Sequence, residues 1–123
     1  LYNQIGDHFW NLLQFISTKV PADKIVYMIM HEESNELGEI KPKTIGKLLD
    51  EKVCVEGMFT IVLRCIAESN KHLFVTQASD GAVSKSPIGM FEDLTIDNDI
   101  LLVEKAIRDY YELGGTGEDE KAK

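Results

Sequence analysis

A helical pattern followed by a short apolar run constrains the fold of this chain most strongly. Ile5, Phe9 and Leu13 recur at the spacing of one helix face, and Pro21 follows where such a helix has to end. The next run, KIVYMIMH at residues 24–31, is mostly apolar at consecutive positions, which is typical of a strand covered on both faces. A helix that leads into a buried strand is half of a βαβ unit. The pattern therefore predicts an α/β fold with a parallel strand.

Two further strands are predicted at residues 59–67 and 73–77, which are rich in β-branched and aromatic side chains. The short connection between them, Glu68-Ser-Asn-Lys71, is typical of a hairpin turn and makes this pair antiparallel. A short helix is expected at residues 44–51, and a short strand at residues 53–55. The sheet is therefore predicted to be mixed, with an antiparallel hairpin and flanking helices.

Two polar segments, residues 32–43 and residues 79–90, are predicted to be loops because glycine and proline interrupt them. Loops as long as the second one are usually functional in a compact domain. A final amphipathic helix begins near Ile100, and Asp97 or Asn98 is expected to cap it.

Length and charge limit the domain organisation and the partners. The chain has 123 residues, so it is one domain or part of one, and its 44% of hydrophobic residues supports a core. We expect residues 1–113 to form the domain and residues 114–123 to be a disordered acidic tail. The net charge of −8 argues against a broad basic surface for nucleic-acid backbones.

The cysteines and the hydropathy pattern indicate a cytoplasmic protein. Cys54 and Cys65 each lie in an apolar run, so we expect buried free thiols in a reducing compartment. The longest continuous apolar run, residues 25–30, is too short to span a bilayer. The histidines and cysteines lack metal-ligand spacing, so no metal site is predicted.

Three motifs carry a resemblance to a known family. They are KTIGKLLDEK at residues 43–52, Glu56-Gly57 followed by Phe59, and KSPIGMF at residues 85–91. Together they resemble the C-terminal half of phage-type RecA-like ATPases, P-loop proteins that act in DNA recombination and single-strand annealing. The resemblance covers nearly the whole chain. It implies ATP and Mg²⁺ as cofactors, a homo-oligomeric ring or filament, single-stranded DNA as a partner, and the host cytoplasm as location.

The chain departs from this family in one respect. It contains no G-x-x-x-x-G-K-[ST] loop, the feature that cradles nucleotide phosphates. In the family that loop, the catalytic acid and the magnesium-binding aspartate all precede the segment seen here. We therefore expect the chain to be the C-terminal part of a longer protein, with the strand at residues 24–31 left with an unpaired edge. The alternative is a non-catalytic RecA-like scaffold used for protein interaction or assembly.

His31 and Lys85 are the candidate catalytic residues. His31 ends the predicted parallel strand, where ligands gather in open α/β sheets, and the resemblance implies a sensor of the γ-phosphate. Lys85 lies on a Gly/Pro-shaped loop and resembles the residue that reaches the ATP site of the neighbouring subunit, with Gln77 helping to position it. Arg64 is the weaker rival for this role. The alternatives are a locally hydrogen-bonded histidine and a solvated surface lysine.

The resemblance also implies a DNA-facing segment. Residues 32–43 match the mobile loop that faces single-stranded DNA in recombinases. Lys41 and Lys43 are its candidate phosphate contacts, although acidic residues surround them.

Overall fold

The computed structural model describes residues 2–43, 55–79 and 81–113. Two α-helices, a 3₁₀ helix and five short strands make up these residues, so the predicted combination of helices and sheet is confirmed. The elements are α1 (Tyr2–Thr18), β1 (Glu32–Ser34), β2 (Ile40–Pro42), the 3₁₀ helix (Val55–Met58), β3 (Arg64–Glu68), β4 (Lys71–Val75), β5 (Thr95–Asp97) and α2 (Ile100–Tyr110). The predicted helix at 44–51, most of the strand at 53–55 and the tail at 114–123 lie outside the described residues.

The main sheet has three antiparallel strands in the order β3-β4-β5. The predicted hairpin is confirmed, because Glu68 pairs with Lys71 across a turn whose two central residues, Ser69 and Asn70, have positive φ angles of 49° and 65°. Its first strand is shorter than predicted, since β3 begins at Arg64. Strand β5 was not predicted, because three residues with a single apolar side chain, Ile96, give no usable pattern.

The predicted strand at residues 24–31 is not formed. A strand exists only where a neighbour completes its hydrogen bonds, and among the described residues the backbone of this segment bonds only through Lys24 to the preceding turn and through His31 to Lys43. The side chains of Met28 and Met30 pack inward, whereas Ile29 is 96% exposed. Within the described residues both sheets are antiparallel, and the one parallel pairing is an isolated bridge.

Residues 32–43, predicted as a loop, contain a second antiparallel hairpin, β1–β2. Its turn is organised by Asn35, whose side-chain oxygen accepts hydrogen bonds from the backbone N–H groups of Leu37 and Glu39, both at 2.9 Å. Gly38 has a φ of +82°, which glycine adopts without strain. These strands were not predicted from the sequence, because β1, Glu-Glu-Ser, contains no apolar residue.

Two apolar clusters form the core of the described residues. The first surrounds Leu13 of α1, which is 1% exposed. The second joins the sheet to α2 through Phe74, Met90, Val103 and Ile107. Helix α2 therefore packs against the β3-β4-β5 sheet. Of its predicted apolar face, Val103, Ala106 and Ile107 pack inward, whereas Ile100, Leu101 and Tyr110 are exposed.

Two local predictions are wrong. Asp99, rather than Asp97 or Asn98, caps α2 by accepting a hydrogen bond from the Leu101 N–H at 3.0 Å, because Asp97 is already paired in β5. Cys65 is exposed rather than buried, because it faces outward in the alternation of β3. Cys54 lies outside the described residues.

Residues 81–83, which follow β4, form hydrogen bonds to strand β2 of the hairpin. Ile40 of β2 donates to the Gly81 carbonyl at 2.9 Å, and Val83 donates back to the Ile40 carbonyl at 3.0 Å. Gly81 has a φ of +77°, and an added Cβ would lie 3.0 Å from the Gly38 carbonyl oxygen. Glycine is therefore needed for this close approach. These bonds hold the hairpin against the loop that carries Lys85.

Candidate functional site

The backbone on both sides of Lys85 is held by hydrogen bonds. Lys85 and Val62 exchange two backbone bonds, at 2.8 and 2.9 Å. The next residue, Ser86, donates its hydroxyl to the Thr76 carbonyl at 2.9 Å and accepts a bond from the Gln77 side-chain amide, also at 2.9 Å. Gln77 therefore braces the residue that follows Lys85. The loop presents the lysine from a defined backbone position.

Lys85 lines an open groove of about 590 Å³. The lining residues come from three parts of the chain: Gly57, Met58, Phe59, Thr60, Lys85, Ser86, Pro87, Tyr110 and Tyr111. Two of the three motifs singled out in the sequence, around Gly57 and Lys85, thus meet in one groove.

Two tyrosines that were not predicted as site residues complete the groove. Tyr110 and Tyr111 end helix α2, and their rings are nearly perpendicular, at 81° with centroids 5.1 Å apart. The Tyr110 hydroxyl donates to the Ile88 carbonyl at 2.9 Å, which ties the helix end to the Lys85 loop. The sequence signal for this site was the pair of adjacent tyrosines. Because successive residues of a helix point in different directions, both rings cannot face the core.

The groove differs in charge from the rest of this acidic chain. Among the residues that the structure describes, its lining contains one cation, Lys85, and no carboxylate. The Lys85 ammonium forms no ion pair with any residue that the structure describes. A second groove, which shares Tyr110 with the first, is lined by Glu92, Lys105 and Asp109 together with apolar residues. The Lys85 groove is therefore the better candidate for an anionic ligand.

The other predicted site residues are elsewhere. His31 is exposed, and its carbonyl accepts a bond from the Lys43 N–H at 2.6 Å. Lys41 lies on β2, where its ammonium is 3.5 Å from the Glu39 carboxylate. His31, Lys41 and Lys43 do not line the Lys85 groove. The structure thus groups Gln77 with Lys85 through Ser86, and it does not bring the other three predicted residues into the same groove.

An acidic residue of the hairpin, Glu39, lies next to Lys41. The Asn35 amide donates to the Glu39 carboxylate at 3.0 Å, and this bond, together with the charge of Lys41, holds the pKa of Glu39 below its usual value. Arg64, the rival candidate, donates two hydrogen bonds to Glu32 of β1. Its guanidinium is therefore engaged in joining β3 to the hairpin.

The described residues contain no group of three or more His, Cys, Asp or Glu side chains able to hold a metal ion. None of their helices has the length and apolar character needed to cross a membrane. Comparisons of the chain with protein-family models, with curated proteins and with solved structures found no match.

Proposed function

We propose that this chain is the C-terminal part of a phage-type RecA-like ATPase of DNA recombination or single-strand annealing. In this proposal Lys85 stabilises the phosphates of an ATP bound by the neighbouring subunit of a homo-oligomer. The observation that carries it is the open groove in which Lys85 meets the Gly57–Phe59 motif. A lysine on a braced loop suits a phosphoryl group, because its charge arrives already oriented.

The exposed apolar segment at residues 24–31 supports the finer fold assignment. Val26, Tyr27 and Ile29 expose 42%, 42% and 96% of their surfaces. Such a run suits a strand that gains its hydrogen-bond partners and its cover from additional parallel strands. In a RecA-like core those strands belong to the half that holds the phosphate loop.

ATP hydrolysis in this family requires Mg²⁺, and the family's magnesium-binding aspartate precedes the segment that this chain resembles, so no residue here is assigned to it. His31 would act as the γ-phosphate sensor, and Lys41 and Lys43 would contact single-stranded DNA. These three assignments rest on the sequence resemblance alone, whereas that of Lys85 also rests on the groove.

The coding sequence upstream of the Leu1 codon provides the test. We expect an open frame that encodes G-x-x-x-x-G-K-[ST], and a protein expressed from the complete frame should hydrolyse ATP. Lys85→Ala should abolish turnover and leave ATP binding largely intact. Lys105→Ala, which removes a lysine from the second groove, is the matched control and should be active. A stop codon directly upstream, or full turnover in Lys85→Ala, would refute the proposal.

A non-catalytic RecA-like scaffold is the second candidate. Ile88, in the loop next to the groove, is 94% exposed, and Leu101 on α2 is 67% exposed. In this second proposal, these side chains would lie in a contact with another protein. A complete frame without a phosphate loop, together with a stable self-association that Ile88→Ser disrupts, would favour this candidate over the ATPase.

A further inference from the structure

The groove contains an aromatic corner that the proposed role of Lys85 does not use. Tyr110 and Tyr111 expose 42% and 46% of their surfaces while their rings stand almost perpendicular to each other. Such an arrangement offers a third planar group one ring face and one ring edge, which are the two geometries that aromatic pairs prefer.

The corner is held in place before any ligand arrives. The bond from the Tyr110 hydroxyl to the Ile88 carbonyl, at 2.9 Å, restrains the first ring. The Tyr111 N–H bonds to the Ile107 carbonyl at 3.1 Å, which anchors the backbone of the second tyrosine at the end of α2. A preformed aromatic surface loses little conformational entropy when it binds.

The remaining lining groups suit a sugar and a phosphate. Thr60 contributes a hydroxyl, and Lys85 contributes the one charge among the described lining residues. The Ser86 hydroxyl is already bonded to Thr76 and Gln77. Glu56 and Glu112 are next to lining residues in sequence but do not line the groove. Bases stack on aromatic side chains regardless of sequence, and a nearby lysine attracts the phosphate.

We infer that this groove binds a nucleoside 5′-phosphate unit, with the base in the Tyr110–Tyr111 corner and the phosphate towards Lys85. The inference rests on the proposed function in taking the phosphate partner of Lys85 to be that of a nucleotide. The unit is either a free nucleotide or one residue of a single strand, since both present a planar base next to a phosphate.

Titration of the ¹⁵N-labelled 123-residue chain with AMP, followed by amide chemical shifts, tests the inference. We expect saturable shifts at Tyr111, Ser86 and Thr60. Ribose 5-phosphate, which lacks the base, should bind about 5- to 30-fold more weakly than AMP. This comparison needs no variant, so it remains decisive even if a substitution disturbs the fold.

Variants separate the two halves of the site. Tyr111→Leu should weaken AMP binding about 5- to 30-fold, whereas Tyr111→Phe, which keeps the ring, should bind within about twofold of the parent. Lys85→Ala should weaken AMP binding about three- to fivefold. Phe15→Leu, which removes an exposed ring from α1, is the matched control and should leave binding unchanged.

The possible outcomes are distinct. Equal binding of AMP and ribose 5-phosphate, unchanged binding by Tyr111→Leu, or no saturable shift in the groove would each overturn the inference. A tetranucleotide of deoxyadenosine that binds more than about tenfold tighter than AMP would support a single strand as the source. Equal or weaker binding would support a free nucleotide.

The failure of this inference is distinguishable from that of the proposed function. A complete frame that does not hydrolyse ATP, combined with base-dependent AMP binding in the groove, overturns the ATPase and leaves the inference standing. ATP hydrolysis that depends on Lys85, combined with no contribution of the base to AMP binding, supports the ATPase and overturns the inference.

Discussion

The guanidinium of Arg64 on β3 donates two hydrogen bonds to the carboxylate of Glu32 on β1, at 2.8 Å from Nε and 3.2 Å from Nη2. This bidentate pair joins residues 32 positions apart and connects the three-stranded sheet to the β1–β2 hairpin. The hydrogen bond from Arg64 lowers the pKa of Glu32 from its ordinary value, although partial burial acts in the opposite direction.

Removing the charge of Glu32 should loosen the hairpin. We expect Glu32→Gln to lower the free energy of unfolding by about 0.5–1 kcal/mol at neutral pH, because water screens a pair of which one side chain is half exposed. Urea unfolding measures this difference. Glu33→Gln on the same strand is the matched control and should cost less; an equal cost would show that the ion pair contributes nothing specific.

The same pair predicts a dependence on pH. Since the pKa of Glu32 is lower in the folded chain than in the unfolded chain, its contribution is fully present above the unfolded value of about 4.5. The contribution is lost as the pH falls through the lower, folded value. The difference in unfolding free energy between the parent and Glu32→Gln should therefore stay constant between about pH 6 and 7. It should shrink as the pH falls below about 4.5. A difference that grows on acidification would contradict the assignment.

Leu13 and Leu12 form a matched pair on α1. Leu13 is 1% exposed in the first apolar cluster, whereas its neighbour Leu12 is 49% exposed. We expect Leu13→Ala to lower the free energy of unfolding by about 2–5 kcal/mol, because it leaves a cavity that the cluster fills only partly. Leu12→Ala should cost much less. Similar losses in thermal or urea unfolding would contradict the packing of α1.

Thr76 holds the segment before β5 through its side chain. It is fully buried, and its hydroxyl lies 2.8 Å from the Asp93 carbonyl and 3.1 Å from that of Leu94. Thr76→Val keeps the shape but leaves these acceptors without the hydroxyl donor, so it should cost about 1–2 kcal/mol. Thr95→Val at an exposed position of β5 should be close to neutral. A neutral Thr76→Val in urea unfolding would refute the role of the hydroxyl.

The β3–β4 turn predicts a backbone effect at Asn70. This residue has a φ of 65°, a region that Asn and Gly tolerate and β-branched residues do not. Asn70→Val should therefore lower the free energy of unfolding by about 1–2 kcal/mol. Asn70→Gly provides the control and should be no less stable than the parent. Equal unfolding midpoints for the two variants would show that the turn has another conformation.

Local sequence patterns correctly predicted the elements that depend only on residues close together in the chain. The helical spacing of Ile5, Phe9 and Leu13 predicted α1, and the turn around Ser69 and Asn70 predicted the β3–β4 hairpin. Both depend on residues close in sequence. The prediction of a strand at residues 24–31 was wrong. An apolar run indicates only that its side chains favour burial, whereas a strand also requires hydrogen bonds to a neighbouring strand.

The site could be predicted only in part. The KSPIGMF motif drew attention to Lys85, and the structure brought Gln77 next to it through Ser86. Tyr110 and Tyr111 were not assigned a role, because helical periodicity treats a ring as part of an apolar face. Their position beside Lys85 depends on how α2 packs across the sheet.

The sequence by itself determined α1, α2, the hairpin turn and a net charge of −8, since spacing, turn chemistry and composition are local properties. Only the tertiary structure decided that Arg64 pairs with Glu32, that Lys85 pairs with Val62, and that the described residues lining the Lys85 groove include no carboxylate. Contacts between residues 20 or more positions apart depend on packing and register across several elements. No local pattern encodes that geometry.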